Sequence, residues 1–272
     1  MNRTGSNEPA PAESSDVFGK AGRVALVAGA TGGIGRVIVE RLAAAGFDIA
    51  LTYIDGADDL NDIRMSVTYH GRAAFDAGTA ELSDASAARA AVERTRSQFG
   101  RIDAVVYAAG PYIPLVWLGD LSPEQFRSVI EQDVCGSYNL IHAALPSLRK
   151  TRGCLVALTT PAVRRHAKRD AMSSVPKAAI EALVRGVAAE EGRHGVRANC
   201  VAVGLIDAGI VHRLQAEGDI DDVYLEAARR HLPLQRMGSA LEIAQAVVFL
   251  VRDDTSGYIS GQSLVVDGGF TA

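Results

Sequence analysis

The first stretch able to do chemistry is Gly29-Ala30-Thr31-Gly32-Gly33-Ile34-Gly35, with glycine at four of seven positions. A short apolar run, Val24 to Ala28, precedes it, long enough for one buried strand. A helical pattern follows, with Ile34, Val37, Ile38 and Leu42 on one face, and Gly46 closes it. Phe47 to Tyr53 then reads as a second strand. Glycines in a turn between strand and helix let a pyrophosphate approach the backbone, with its charge against free N–H groups at the helix start. The pattern, about 30 residues from strand to strand, therefore predicts dinucleotide binding. A purely structural glycine turn is the competing reading.

The rest of the chain supplies the frame for that turn. Gly56 to His70 reads as a polar helix and Arg72 to Asp76 as a third strand. A helix over Ser83–Phe99 takes Ser83 as its cap. Ile102 to Tyr107 is a fourth strand, ending in the small-residue turn Ala108-Ala109-Gly110. Ser122-Pro123 opens a helix running to about Leu145, Ser as cap and Pro at the first helical position. Cys154 to Thr159 is a strand, Ala171 to about Arg193 a long helix, and Val196 to Val201 a sixth strand. Asp207 to Arg236 is a polar excursion with one or two short helices, before a helix over Ala240–Val251 and a last strand, Ser263 to Val266. Alternating strands and helices predict an α/β, doubly wound Rossmann fold with one parallel sheet covered on both faces. No linker splits residues 21–272 into two domains. Residues 1–20, rich in Asn, Ser, Glu and Pro, read as a disordered tail.

Composition excludes several classes. A formal net charge of −4 gives no reason to expect nucleic acid or an anionic membrane as partner. Cys135, Cys154 and Cys200 are widely spaced, form no metal-like pair and fit a reducing, cytoplasmic location. No apolar run reaches the roughly 18 residues of a membrane span. No metal site is expected. Ligands of an open α/β sheet lie at the carboxyl ends of the strands. That rule gathers Gly29–Gly35, Asp76, Ala108–Gly110, Thr159–Ala162 and Val203–Ala208 around one crevice.

Along essentially all of residues 21–272 the chain resembles the short-chain dehydrogenase/reductase family. The Gly29–Gly35 turn resembles its T-G-x-x-x-G-x-G motif, with Ala28 in place of Thr. Tyr107-Ala108-Ala109-Gly110 resembles N-N-A-G without its Asn residues, and Val266-Asp267-Gly268-Gly269 is similar to the family's close. The resemblance implies cofactor contacts at Gly29, Thr31, Gly32, Gly33, Ile34, Gly35, Tyr53, Ala108, Ala109, Gly110, Lys177, Gly204 and Ile206, and at Asp76 an adenine contact. It implies NADP(H) rather than NAD(H), through members with a similar Thr52-Tyr53 tip, and a homotetramer built on the helices Ser122–Leu145 and Ala171–Arg193.

The implied catalytic set is Asp133, Thr160, Ser173 and Lys177. The family's Tyr of Y-x-x-x-K is Ser173 here, its Ser is Thr160 and its helix Asn is Asp133. A serine hydroxyl is far less acidic than a phenol and its side chain is shorter. The pattern is similar to reductases of conjugated C=C bonds in acyl thioesters, such as 2,4-dienoyl-CoA reductases. In that chemistry the thioester oxygen needs hydrogen-bond donors, and an acid, for which Asp133 is the choice, protonates carbon. The implied partner is an acyl thioester of CoA or of a carrier protein. Two other readings stand: a carbonyl reductase with a substitute donor such as Tyr112, and a nucleotide-binding protein without catalysis. The basic loop Arg164-Arg165-His166-Ala167-Lys168-Arg169 is either a solvated surface or a contact for a thioester's phosphate. Trp117 and Leu118 are expected to pack. The apolar residues of the excursion, such as Val211, Leu214 and Val223, suit an acyl chain and ordinary packing equally.

Overall fold

The computed structural model describes residues 22–272; the tail expected over residues 1–20 lies outside the described residues. Strand β1 (Arg23–Ala28) leads through the glycine turn into α1 (Gly35–Ala44) and β2 (Phe47–Tyr53). Then follow α2 (Leu60–Tyr69), β3 (Ala74–Thr79), α3 (Ala85–Phe99) and β4 (Ala104–Tyr107). The next helical rod is α4 (Pro123–Val129), a π-helical turn Ile130–Cys135, and α5 (Gly136–Thr151). It is succeeded by β5 (Cys154–Thr159), α6 (Ala171–Glu191) and β6 (Arg197–Val203). Helices α7 (Ile210–Ala216), α8 (Asp222–Arg230), α9 (Ala240–Val251) and α10 (Asp253–Ser256) precede β7 (Ser263–Val266). The seven strands form one sheet in the order β3-β2-β1-β4-β5-β6-β7, every pairing parallel.

Alternate residues of each strand feed two cores. Ala25, Val27, Ala104 and Val106 pack with Ile38 and Leu42 of α1 and Val247 of α9 on one face. Leu26, Ala28, Val105 and Tyr107 pack with Ala91 of α3, Leu140 of α5 and Ile180 of α6 on the other. Burial on both faces is why these strands read as continuous apolar runs. The strand order reverses between β1 and β4, and that switch point opens the crevice at the carboxyl ends.

Three local expectations are corrected. The cap of α3 is Asp84, whose carboxylate accepts from Ser86 N at 2.8 Å, rather than Ser83. Strand β3 runs to Thr79 instead of ending at Asp76, because a register shift beside Leu51–Tyr53 extends its pairing with β2. The helix expected over Ser122–Leu145 continues to Thr151 through Pro146 and carries the π turn at its middle. Ser122 caps it as expected, in a reciprocal box with Gln125.

Candidate active site

The glycine turn forms a cradle for an anion. Gly29 has φ +78°, and a Cβ there would lie 2.6 Å from Ala108 O, so turn and β4 loop touch backbone to backbone. A Cβ on Gly35 would collide with the Gly29 carbonyl, and one on Gly33 would lie 2.7 Å from Gly209 N at the start of α7. Ile34 leads into α1 without any side-chain cap, and the first turn holds no acidic residue. Free N–H groups with no competing carboxylate fit a pyrophosphate. Thr31 holds the turn against the β2 tip, Oγ1 donating to Asp55 O at 2.6 Å.

Around this cradle the structure sorts the expected cofactor residues. Ala108, Ala109 and Gly110 line the end of β4, with Ala108 N donating to Ala28 O at 3.0 Å. Gly204 packs on Asp267, where a Cβ would come within 2.5 Å of its Cα, and Ile206 is buried. Tyr53 is buried, and its hydroxyl donates to Asp76 at 3.2 Å. Burial, and then the Asp76 charge, raise its pKa. Asp76 itself lies within β3, three residues short of its end. It accepts from Gly78 N at 2.7 Å and pairs with Arg64 at 3.5 Å. The carboxylate is thus engaged in holding β3, with part of its surface still exposed. The acidic residue beyond the end of β3 is Glu81, exposed and accepting from Ser83 Oγ at 2.9 Å. Arg36, in the first turn of α1, reaches the segment after β2 and pairs with Asp59 at 2.6 Å, both about half exposed. The sequence signal for it was its place directly after Gly35.

The reactive end is built from four elements. Lys177 of α6 lies with Nζ 2.8 Å from each Asp133 oxygen and donates to Oδ1. Asp133 is fully buried, and Oδ2 receives no aligned hydrogen bond. The π turn sets Asp133 inward; such one-turn insertions recur at functional sites. Tyr107, at the end of β4, donates its hydroxyl to Asp133 Oδ1 at 3.1 Å, also 3.1 Å from the backbone O, and its ring lies 5.7 Å from Lys177 Nζ. Burial, reinforced by the Asp133 charge, pushes the Tyr107 phenol well above its ordinary pKa. Tyr107 is a residue that sequence reasoning missed as a partner, because a tyrosine in an apolar strand reads as core. Lys177 thus stands between Asp133 and the crevice, and its head lies 3.6 Å from where a Gly110 Cβ would be. Asp133 thus has no exposed surface of its own and meets the crevice behind Lys177.

Thr160 accepts from Ala162 N at 3.2 Å, which leaves its O–H free to donate. Ser173 sits one turn before Lys177 on α6, its N–H donating to Asp170 O at 3.1 Å. Thr159 is turned away, donating to buried Glu181 at 3.1 Å. Tyr112 is not free: its hydroxyl donates to Asp219, and Arg213 stacks over its ring at 4.8 Å. The hydrogen bond to Asp219, then burial, push its pKa up to about 12, against the opposing charge of Arg213. They tie the loop after β4 to the α7–α8 excursion, where Val211, Leu214 and Ile220 pack beneath it. In the basic loop, Arg164, Arg165 and Arg169 donate to the carbonyls of Ser263, Phe270 and Leu115. Trp117 and Leu118 are exposed, correcting the expectation that they pack.

Known proteins carry the same frame. The family model described as Enoyl-(Acyl carrier protein) reductase matches residues 29–271. The peroxisomal 2,4-dienoyl-CoA reductase SPS19 of Saccharomyces cerevisiae is 32% identical over 253 residues, covering 91% of this chain and 84% of the relative. L-fucose dehydrogenase of Mus musculus is 30% identical over 249 residues, with 91% and 88% covered. A solved short-chain dehydrogenase/reductase from Serratia marcescens superposes with a TM-score of 0.83 at 28% identity, covering 93% of this chain and 99% of that one. The chain belongs to the short-chain dehydrogenase/reductase family. It is an NAD(P)-dependent oxidoreductase of that family. This removes the reading of a nucleotide-binding protein without catalysis. Among the described residues no helix is long and apolar enough to cross a membrane.

Proposed function

We propose that this short-chain reductase reduces the conjugated C=C bond of an enoyl or dienoyl thioester, the acyl group carried on CoA or a carrier protein. The carrying observation is Lys177 held by buried Asp133, with Ser173 one turn before it at the position that the sequence resemblance gives to the family's tyrosine. The loop tyrosine Tyr112 has its hydroxyl engaged by Asp219, which weighs against carbonyl reduction with Tyr112 as donor. The name of the yeast relative, a 2,4-dienoyl-CoA reductase, supports the same reading.

The glycine turn at the N-terminus of α1 would hold the cofactor's pyrophosphate and Lys177 its ribose, and the bound reduced nicotinamide would supply the hydride. The Thr160 and Ser173 hydroxyls donate to the thioester oxygen, and Lys177, held in place by Asp133, stabilises the negative charge that grows there. For the cofactor form we favour NADP(H): Arg36 is the cation beside the β2 tip and meets a 2′-phosphate on leaving Asp59. Glu81 is the acid placed for the adenine.

We favour a homotetramer paired through α5 and α6. Both helices leave apolar surface open: Tyr138 stacks on His142 and is 52% exposed, Val175 is exposed, and nothing lies within 4 Å of a Cβ on Gly186. Light scattering at micromolar concentration tests it, and a monomer refutes it.

The function is tested by following nicotinamide absorbance with a 2-enoyl, a 2,4-dienoyl and a 3-oxoacyl thioester. The expected result is a kcat/KM at least about tenfold higher for one of the unsaturated thioesters, a transition-state preference of about 1.4 kcal/mol. Preference for the 3-oxoacyl substrate overturns the reading in favour of carbonyl reduction.

A further inference from the structure

Lys177 carries its ammonium on a long side chain with many rotamers, so its neighbours decide where the charge sits. Three of them confine it. Both Asp133 oxygens lie 2.8 Å from Nζ, the Tyr107 ring centre lies 5.7 Å away, and a Cβ added at Gly110 would stand at 3.6 Å. The carboxylate that holds Lys177 is itself in need of an anchor. Asp133 is fully buried, and Oδ2 receives no aligned hydrogen bond. Among the described residues its side-chain donors are Lys177 and Tyr107. The terminal torsion of an aspartate has a broad well, so a flexible lysine alone leaves the carboxylate plane free to swing.

Tyr107 supplies the fixed point. Its hydroxyl lies 3.1 Å from Asp133 Oδ1 and 3.1 Å from the backbone O of the same residue. Its ring is set by the sheet. Ala28 of β1 and Ala157 of β5 are its register partners, and all three share one core with Leu140 and Ile180. Two alanines at its flanks leave room for the ring, and close packing then fixes where the hydroxyl ends. Phenylalanine would serve that core as well; a buried hydroxyl needs an acceptor, and Asp133 provides it. Burial, then the Asp133 charge, raise the phenol well above its ordinary pKa, so it remains a donor through the neutral range.

We infer that Tyr107 is a positioning residue of the reaction: by donating to Asp133 it holds the carboxylate with both oxygens on Lys177, and so sets where the ammonium meets cofactor and substrate. The inference rests on Lys177 serving the reaction, as in the reading above, and not on which double bond is reduced. Tyr107 is 1% exposed and acts only through Asp133 and Lys177.

The test is a double-mutant cycle. Tyr107→Phe removes the hydroxyl and keeps the ring. With whichever of the enoyl, dienoyl and 3-oxoacyl thioesters the parent reduces fastest, kcat should fall about tenfold or more, as for a lost hydrogen bond to a charged group, with KM within about threefold. A packing role predicts the same fold loss whatever side chain stands at residue 133. The positioning role predicts that Tyr107→Phe changes kcat by less than about twofold in an Asp133→Ala background, where no carboxylate is left to hold. Asp133→Asn is a second background, and there the loss should be smaller than in the parent, because the hydroxyl faces a neutral amide. Equal fold losses in the parent and in both backgrounds overturn the inference, as does a parent kcat unmoved by Tyr107→Phe. Fluorescence titration with NADPH and NADH runs the same cycle without substrate. Tyr107→Phe should weaken the tighter cofactor about threefold or more in the parent and leave it unchanged in Asp133→Ala. If the parent reduces none of the three substrates, this second cycle decides, and an unchanged affinity overturns the inference. Preference for the 3-oxoacyl substrate overturns the C=C reading alone, since the cycle is then run on that substrate.

Discussion

The ion pair at the reactive end should respond unequally to removal of its two partners. Asp133 is 0% exposed, whereas the Lys177 side chain keeps 13% of its surface on the crevice. At 2.8 Å the attraction between unit charges is about 6 kcal/mol for an effective dielectric constant of about 20. Lys177→Met keeps the length of the side chain and removes the charge, leaving a carboxylate with only the Tyr107 hydroxyl as side-chain donor. Water entering from the crevice recovers part of the loss, so the net cost should be about 3–5 kcal/mol, the usual range for a buried charge stripped of its partner. Asp133→Asn leaves the ammonium at the crevice, where water can solvate it, and should cost about 1–2 kcal/mol. The double variant should be more stable than Lys177→Met alone, because no buried charge remains. Urea unfolding followed by far-UV circular dichroism, at one fixed protein concentration, measures all three. At about 3 °C per kcal/mol, Lys177→Met should also lower Tm by roughly 10 °C. Equal losses in the two single variants, or a Lys177→Met cost under about 1 kcal/mol, refute the placement of a buried carboxylate behind Lys177.

Other expectations follow from the same geometry. Ser173→Tyr should lower thioester turnover by filling substrate space; a rise in thioester turnover, measured by nicotinamide absorbance, would count against the pocket described. Arg36→Ala should weaken NADPH about tenfold or more while leaving NADH within about twofold. Fluorescence titration of both cofactors decides it, and an equal effect on the two removes Arg36 from the 2′-phosphate. The raised carboxyl of Asp170 makes stability depend on pH. A folded-state pKa above the unfolded value contributes stability that is full below about pH 4 and lost as pH rises to about 7. Asp170→Asn should therefore gain on the parent across that window, on the order of 1 kcal/mol per pH unit, and no further above it. Denaturant midpoints at pH 4.5, 6 and 8 show whether the difference grows or stays flat.

The sequence determined the parallel sheet, the glycine turn at α1 and the carboxyl-end crevice, because these are written in local periods. Apolar runs of strand length, helical spacing and turn glycines each act over a few residues. It also put Ser173 and Lys177 one turn apart on α6 and Thr160 directly after β5, since a helix turn fixes the first two and a strand end the third. Tertiary structure decided what those residues face. The register of β3 against β2 put Asp76 inside a strand and Glu81 beyond its end. The π turn sent Asp133 inward behind Lys177, 44 residues away in sequence, and brought Tyr107 onto it from another strand. Folding the loop after β4 against α7–α8 engaged Tyr112 with Asp219, 107 residues on. Burial without an ion-pair partner among the described residues raises the pKa of the Asp170 carboxyl, and no spacing in the chain records it. Charge, burial and hydrogen-bond partners depend on which elements meet, so the surroundings of the candidate residues came from the packing and their positions from the chain.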